Sequence, residues 1–414
     1  MAVVRPFQAI RPQADMADQV AALPYDVMSS EEAREMVKDN PYSFLHVDKA
    51  EIDLDPAVNL YDSQVYAQAR SNLEKLQADG VLIKDAEPRL YIYRLIMQGR
   101  SQTGVVGCTS IDDYLQNAIK KHEHTRADKE QDRIRHVNIC NANTGPIFLT
   151  YRAQKEINLL VDKWTRTDPL YNFTAEDGVT HMVWAINNEQ DINQLRQLFA
   201  GVECLYIADG HHRCASAVKV GQMRREQKTV FTGNEEFNYF LSVIFPDQDL
   251  YIMDYNRVVQ DLNGYDREEF IRQVSDKFII KPAAGTESFR PQRKHTFGMY
   301  LDGEWYELTA KDGSFAADDP VERLDVSILQ NNLLQPILGI SDPRTDKRID
   351  FIGGIRGLGE LEKRVKSGMR VAFSMYPTTI EDLMNIADAG EVMPPKSTWF
   401  EPKLRSGLFI HELS

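Results

Sequence analysis

The segment Tyr206-Ile207-Ala208-Asp209-Gly210-His211-His212-Arg213-Cys214-Ala215-Ser216-Ala217 holds the residues best suited to chemistry. An apolar run meets Asp-Gly, then two imidazoles and a guanidinium, then small residues that suit a helix. A strand handing over to a helix N-terminus leaves backbone N–H groups without acceptors, and these favour an anion. Gly210 admits a turn, or a close ligand approach, that a side chain would block. Arg213 can fork two N–H bonds onto phosphate oxygens, while His211 and His212 add donors whose charge is tunable near neutral pH. The segment reads as a phosphate-binding corner. The plainer alternative has Asp209 capping the helix and the histidines packing at its first turn. No metal is expected, because adjacent histidines diverge and no nearby carboxylate or thiol set completes a site.

A second constellation runs from Lys120-Lys121-His122-Glu123-His124-Thr125-Arg126 through Asp128, Lys129, Glu130, Asp132, Arg133 and Arg135 to His136. Phosphoryl transfer needs such a mixture: cations neutralise the group in flight, and a carboxylate accepts a hydroxyl proton or holds Mg²⁺. The alternative is a solvated helix, which like-charged neighbours such as Asp128/Asp132 and Lys129/Arg133 would weaken. His122-Glu123-His124 lacks the four-residue spacing of the zincin pattern. Asn141-Ala142-Asn143-Thr144-Gly145-Pro146 reads first as a connecting turn. In Met393-Pro394-Pro395-Lys396-Ser397-Thr398-Trp399-Phe400-Glu401-Pro402-Lys403, the prolines exclude a helix while Trp399 and Phe400 need burial. A fixed extended segment presenting Lys396, Ser397, Thr398 and Lys403 follows. Pro24-Tyr25-Asp26 is a weaker shaped turn of the same kind.

The elements that must position these groups alternate between periods of two and 3.6. Ser29 and Glu32 have capping-box spacing for a helix that Asn40-Pro41 would stop, and Tyr61 to Asp79 reads as a helix closed by Gly80. Leu90 to Met97 and Thr103 to Ser110 form a predicted hairpin, as do Thr296 to Leu301 and Glu304 to Thr309 across Asp302-Gly303. Tyr239 to Phe245 and Leu250 to Tyr255 are expected to pair across Pro246-Asp247-Gln248-Asp249. Asp113 to Thr144 is either an exposed helix or a functional insertion. Strands are expected at Ile147 to Tyr151 and Thr180 to Ile186, and helices at Ala153 to Trp164, Gln190 to Phe199, Arg267 to Lys277, Val321 to Leu334, Leu358 to Val365 and Ile380 to Ala387. Hairpins mixed with helices imply an α+β fold with a mixed sheet. The expected division is an N-terminal region, residues 1–260, and a C-terminal α+β region, residues 261–414, that closes the site.

Composition narrows the setting of the corner. The 414 residues carry 48 basic against 62 acidic side chains, a formal charge of −14 that repels polyanions, so neither nucleic acid nor an anionic membrane is an expected partner. Cys108, Cys140, Cys204 and Cys214 show no C-x-x-C pair, so reduced thiols are expected. Met1 to Phe7 lacks the apolar core of a signal peptide, and no stretch approaches the roughly 20 apolar residues of a membrane span. The expected compartment is the cytoplasm. Nothing here reads on oligomeric state.

Pro24-Tyr25-Asp26-Val27, Asn40-Pro41-Tyr42-Ser43-Phe44-Leu45-His46-Val47, Lys121 to Arg126, Asn141 to Pro146, Ala208 to Arg213 and Pro394 to Phe400 together resemble the domain of unknown function 1015 family across essentially the whole chain. More distantly, the strand, Asp209-Gly210-His211-His212-Arg213 and the small-residue helix are similar to the nucleotide-phosphate box of the ParB and sulfiredoxin superfamily, which includes free-serine kinases. In that serine-kinase branch a His-Glu pair lies upstream of the box, as His122-Glu123 does here, although far more chain separates the two. The resemblance implies a ParB/sulfiredoxin-like nucleotide-binding core and a phosphotransferase acting between ADP or ATP, with Mg²⁺, and a small hydroxyl metabolite such as serine or phosphoserine. It implies Glu123 as base, with His122 and Asp209 beside it, and Gly210, His211, His212 and Arg213 on nucleotide phosphates. Lys121, Arg126 and Lys396 are candidates for substrate phosphate or carboxylate. The rival readings are a ParB-like nucleotide-binding or DNA-partition protein, which the acidic charge opposes, and a metal-dependent hydrolase built from His122, His124, His211 and His212.

Overall fold

Alternation along Leu90–Met97 sends Leu90 and Ile92 into one core while Tyr91 and Tyr93 face Phe409 on the other side, at 5.1 and 6.0 Å between ring centroids. That two-sided burial marks a strand inside a covered sheet. A computed structural model of the chain describes residues 2–230, 232–283 and 288–414. Its contacts divide it into Met1–Leu250 with Pro402–Ser414, and Tyr251–Glu401. The division falls ten residues before the expected limit at 260, and the last residues return to the first unit. No glycine- or proline-rich linker marks the crossing after Leu250, whereas the one at Pro402 falls in the proline-rich tail.

The first unit is built on a nine-stranded sheet. Its strands are β1 (Val4–Arg5), β2 (Leu90–Met97), β3 (Arg100–Ser110), β4 (Ile119–Lys120), β5 (Ile147–Tyr151), β6 (Tyr171–Thr174), β7 (Thr180–Ile186), β8 (Leu205–Asp209) and β9 (Tyr239–Pro246). They lie in the order β4-β8-β5-β9-β3-β2-β7-β6, with β1 against β3. β8/β4 and β9/β5 run parallel and the other pairs antiparallel, so the sheet is mixed. The helices of this unit include α1 (Ser30–Met36), α2 (Ser63–Ala78), α3 (Ala127–Cys140), α4 (Lys155–Trp164), α5 (Glu189–Ala200) and α6 (His211–Glu226). Apolar residues of α4, α5 and α6 share a core with β2, β5, β7, β8 and β9. The expected capping box at Ser29 and Glu32 closes on α1.

The second unit carries β10 (Tyr255–Val259), β11 (Phe278–Pro282), β12 (Thr296–Leu301), β13 (Glu304–Ala310), β14 (Ile349–Gly353) and β15 (Val371–Ser374), all antiparallel in the order β11-β13-β12-β15-β10-β14. Around it run α7 (Arg267–Ser275), α8 (Gly359–Lys366) and α9 (Ile380–Asp388). The expected helix from Val321 to Leu334 is instead a short α-turn, Asp325–Leu329, continued by a π-turn over Gln330–Leu334.

Two further expectations change. Tyr239 to Phe245 and Leu250 to Tyr255 do not pair: β9 lies between β3 and β5, Ile252–Met253 pairs with Trp399–Phe400, and Tyr255 opens the second sheet. The turn chemistry at Pro246–Asp249 is real, but long-range partners decide the ladders. Asp113 to Thr144 is not a fully exposed helix, since α3 buries Asp132, Arg133, His136 and Cys140. Asp132 accepts from Tyr66 Oη at 2.9 Å and His136 Nε2 meets the Val47 carbonyl at 3.0 Å, so tertiary partners satisfy a face that its own charges could not. All four thiols are buried and none is in a disulfide. Among the described residues no helix is long and apolar enough to cross a membrane.

The small residues of α6 let it pack closely. Cys214, Ala217 and Val218 enter the core, and a Cβ on Gly221 would stand 2.5 Å from the Phe237 carbonyl oxygen and 2.7 Å from Ile111 Cδ1. Backbone cannot swing aside as a side chain can, so Gly221→Ala should destabilise by about 1–3 kcal/mol despite alanine's better helix propensity. Urea denaturation measures it; an unchanged midpoint would show that the helix can shift.

Candidate functional site: an uncapped helix corner

β8 runs buried from Leu205 to Ala208 and then slips register against β5, where Ile207 opposes Leu149 but Asp209 opposes Phe148. Ala208 is the extra, unpaired residue of a bulge, which bends the strand just before Asp209. Gly210 follows at φ +90°, a left-handed conformation that disfavours any side chain, and a Cβ there would also lie 3.0 Å from Arg213 Nε. Its N–H donates to Asp209 Oδ1 at 2.9 Å, so Asp209 turns the chain and does not cap α6. The helix has no side-chain cap, and among the described residues the N–H groups of His211, His212 and Arg213 meet no acceptor. These N–H groups carry the positive end of the helix dipole.

Arg213 crosses above this turn with its side chain 11% exposed. Nη1 donates to the Pro146 carbonyl at 2.5 Å, Nη2 lies 3.8 Å from Asp209 Oδ2, and Nε is buried without a partner. Asp209 also faces Lys403 Nζ at 3.3 Å. Burial pushes the Asp209 carboxyl up, but Lys403 and Arg213 outweigh it and hold the group well below the usual carboxylate range. It stays ionised and engaged, a poor proton acceptor.

The imidazoles behave differently from their sequence expectation. His211 is 5% exposed, packs edge-to-face on His122 at 4.4 Å, and puts Nδ1 3.8 Å from Glu123 Oε2. His211 Nε2 and both ring nitrogens of His122 lack a hydrogen bond of good geometry, although the Ile207 carbonyl favours protonation of His122. Burial lowers His122 to about 4 and takes His211 well below its ordinary value. His212 is also lowered by burial, and its Nε2 accepts the Arg126 N–H at 3.0 Å. All three rings are neutral near pH 7. The positive charge of the corner therefore belongs to Arg213, Lys403, Lys121 and the helix dipole, not to tunable histidines.

This burial has a pH consequence. His122 and His211 would take up protons near pH 6.5 once unfolded, and the folded state refuses them. Folding stability should be full above pH 6.5 and fall as the pH drops toward 4, by up to about 1.4 kcal/mol per pH unit for each ring. Urea midpoints at pH 7.5 and 5.0 test this. His122→Gln should narrow the difference; an unaltered difference would mean the ring is charged in the fold.

The remaining residues named from sequence divide sharply. Glu123, with its side chain 43% exposed, sits beside His211. Lys121 Nζ lies 4.5 Å from the Tyr114 ring centroid, and its charge disfavours protonation of His211. The Arg126 guanidinium pairs with exposed Asp128 at 2.8 Å, leaving only its backbone N–H at the corner. His124 is exposed. Lys396 belongs to the second unit, where its Nζ is 5.7 Å from the Tyr255 ring centroid.

Some partners of the corner escaped the sequence reading. A cavity of about 20 Å³, large enough for a water, is lined by Tyr25, Asp48, Arg133, Thr144, Gly145 and Arg213 among others. The Arg133 guanidinium covers the Tyr25 ring at 4.1 Å, and Thr144 Oγ1 donates to Asp48 Oδ1 at 2.7 Å. The segment Asn141 to Pro146, read first as a connector, thus seats Arg213. Lys403 had a signal, its place in a proline-rich tail that must be fixed, and Arg133 stood in the charged constellation after Lys120; Asp48 had none of its own. A carboxylate also completes a donor set that the sequence reading denied: His122, Glu123 and His211 bring one ligand atom each within 4.8 Å of one another.

Fold and corner define a mixed α+β protein with an uncapped helix N-terminus beside a buried arginine. The chain belongs to the family described as Protein of unknown function (DUF1015), whose match covers residues 4–327. No curated protein matches it. Among solved structures it is similar to a free serine kinase in complex with AMP, at 14% identity and a TM-score of 0.37 over 74% of this chain and 91% of that one. It is also similar to a conserved hypothetical protein from Pyrococcus furiosus, at 15% identity and 0.36 over 74% and 94%. A third, SbnI with C-terminal truncation from Staphylococcus aureus, aligns at 11% identity and 0.39 over 74% and 86%.

Proposed function

We propose that this protein is a nucleotide-dependent phosphotransferase, moving a phosphoryl group between ADP or ATP and a small hydroxyl metabolite. The observation that carries the reading is Arg213: a buried guanidinium with an unpartnered Nε beside three acceptorless N–H groups. That set suits the oxygens of a nucleotide phosphate. On this reading β8, Gly210 and α6 form the ParB/sulfiredoxin-like nucleotide-binding core. Serine or phosphoserine leads the list of partners, because His122-Glu123 precedes Gly210-His211-His212-Arg213 as in the serine kinases the chain resembles.

The helix N–H groups and Arg213 hold the phosphate being transferred, with Lys121 on its exposed side. The acceptor hydroxyl oxygen bonds to phosphorus while the bridging P–O bond breaks and its electron pair leaves on the departing phosphate. Glu123 takes the hydroxyl proton. The reverse direction uses the same groups. Among the described residues no all-oxygen cage surrounds the corner, so Mg²⁺ fits as an ion carried by the nucleotide phosphates, its usual manner of binding. When bound it neutralises charge on the group in flight. Phosphorus NMR of the protein with Mg²⁺ and ADP or ATP, against serine, phosphoserine and related alcohols, tests the proposal. Absence of transfer in both directions across the panel would defeat it.

One observation favours a second reading. Two neutral imidazoles and a carboxylate within 4.8 Å suit a transition metal, which would make the protein a metal-dependent hydrolase through His122, Glu123 and His211. His212 bonds to Arg126 and His124 is exposed, so neither joins the set. Stoichiometric zinc or iron in protein purified without added ions would select this reading over the first.

A further inference from the structure

The second unit holds a buried cation with no counter-charge. Arg257, on β10 between Phe351 of β14 and Phe373 of β15, is 3% exposed. Its Nη1 donates to the Tyr255 carbonyl and Nη2 to the Lys396 carbonyl at 3.1 Å, and the Phe351 ring centroid lies 5.4 Å from Cζ. No carboxylate comes within ion-pair distance among the described residues. Two carbonyls and an aromatic face return only part of the several kcal/mol that a guanidinium loses on leaving water. Burial accordingly lowers its pKa to about 10.

Arg257 lines a cavity of about 350 Å³, together with Gln330, Ser341, Arg344, Phe351 and Pro394 among others. That volume falls within the roughly 300–1,000 Å³ of small-molecule sites. The one acidic residue on its wall, Asp342, is committed to Arg344, accepting from Nε and Nη2 at 2.9 Å each. The wall is also held in place: Ser397 Oγ donates to the Pro394 carbonyl at 2.6 Å, Thr378 Oγ1 to the Ser397 carbonyl at 2.9 Å, and Lys396 takes φ +60°. The proline-rich tail segment thus forms one side of a fixed pocket whose buried charge is unbalanced.

We infer that this cavity is an anion site of the second unit, in which Arg257 receives the oxyanion head of a small organic ligand. Carboxylate and phosphate heads share the required chemistry, and Phe351, Leu334, Val326 and three prolines face the ligand's body. The site is independent of the corner at Arg213, so a negative phosphoryl-transfer assay leaves it standing.

Calorimetric titration of full-length Arg213→Ala protein with sodium phosphate, and separately with sodium acetate, at constant ionic strength, tests the inference away from the corner. One saturable site for phosphate or for acetate is expected, and the anion that binds identifies the head group. Adding Arg257→Gln should weaken that binding at least tenfold, and Arg257→Lys, which keeps the charge but loses the fork, should weaken it severalfold without loss of the fold. No saturable binding of either anion, or equal binding with and without the Arg257 substitutions, would overturn the inference and leave Arg257 a strut for the Lys396 carbonyl.

Discussion

Arg213→Ala should weaken ADP and ATP binding about 100-fold or more, measured by calorimetry with Mg²⁺ present. Hydrogen bonds between charged partners each contribute about 1.5–3 kcal/mol, and the planar fork can make two to a phosphate. Asp209 keeps Lys403 at 3.3 Å, so the substitution does not strand a bare carboxylate. Loss of the Pro146 contact will cost some stability, and a parallel thermal melt separates the two effects. Arg213→Lys should restore charge but not the fork, giving intermediate affinity. Wild-type affinity in a folded Arg213→Ala protein would remove the nucleotide from this corner.

Glu123→Gln should leave nucleotide binding nearly unchanged and slow turnover by about 100- to 10,000-fold, the usual contribution of a positioned general base. The amide keeps the size of the side chain but cannot take a proton. Glu123 is the half-exposed carboxylate beside the corner, whereas Asp209 is pinned by Lys403 and Arg213. If the rate survives, the exposed Asp26, whose charge acts on Arg213 and His212, becomes the next base to test. A loss of nucleotide binding in Glu123→Gln, with the rate at saturation intact, would instead assign Glu123 to positioning.

Local patterns made much of the fold legible. The hairpin of β2 and β3, the capping box of α1 and the small face of α6 are short-range features, and alternation or capping chemistry specifies each within a dozen residues. The failures share a cause. The expected pairing of Tyr239 to Phe245 with Leu250 to Tyr255 failed because both runs find partners far along the chain. Whether the polar face of α3 was solvated stayed open in the sequence because Tyr66 and Val47, which satisfy it, lie far upstream.

By itself the order strand, Asp209-Gly210, His211-His212-Arg213, small-residue helix determined a turn at glycine and a helix N-terminus with orphan N–H groups, because these are properties of a few adjacent residues; that Asp209 leaves the terminus uncapped was settled by the structure. Only the tertiary structure decided the charges. Burial made the three histidines neutral, Lys403 from the returning tail fixed Asp209 as an anion, and Pro146 aimed Arg213 across the turn. Protonation depends on desolvation and on cations brought from distant positions in the chain, and neither quantity is written in the local sequence.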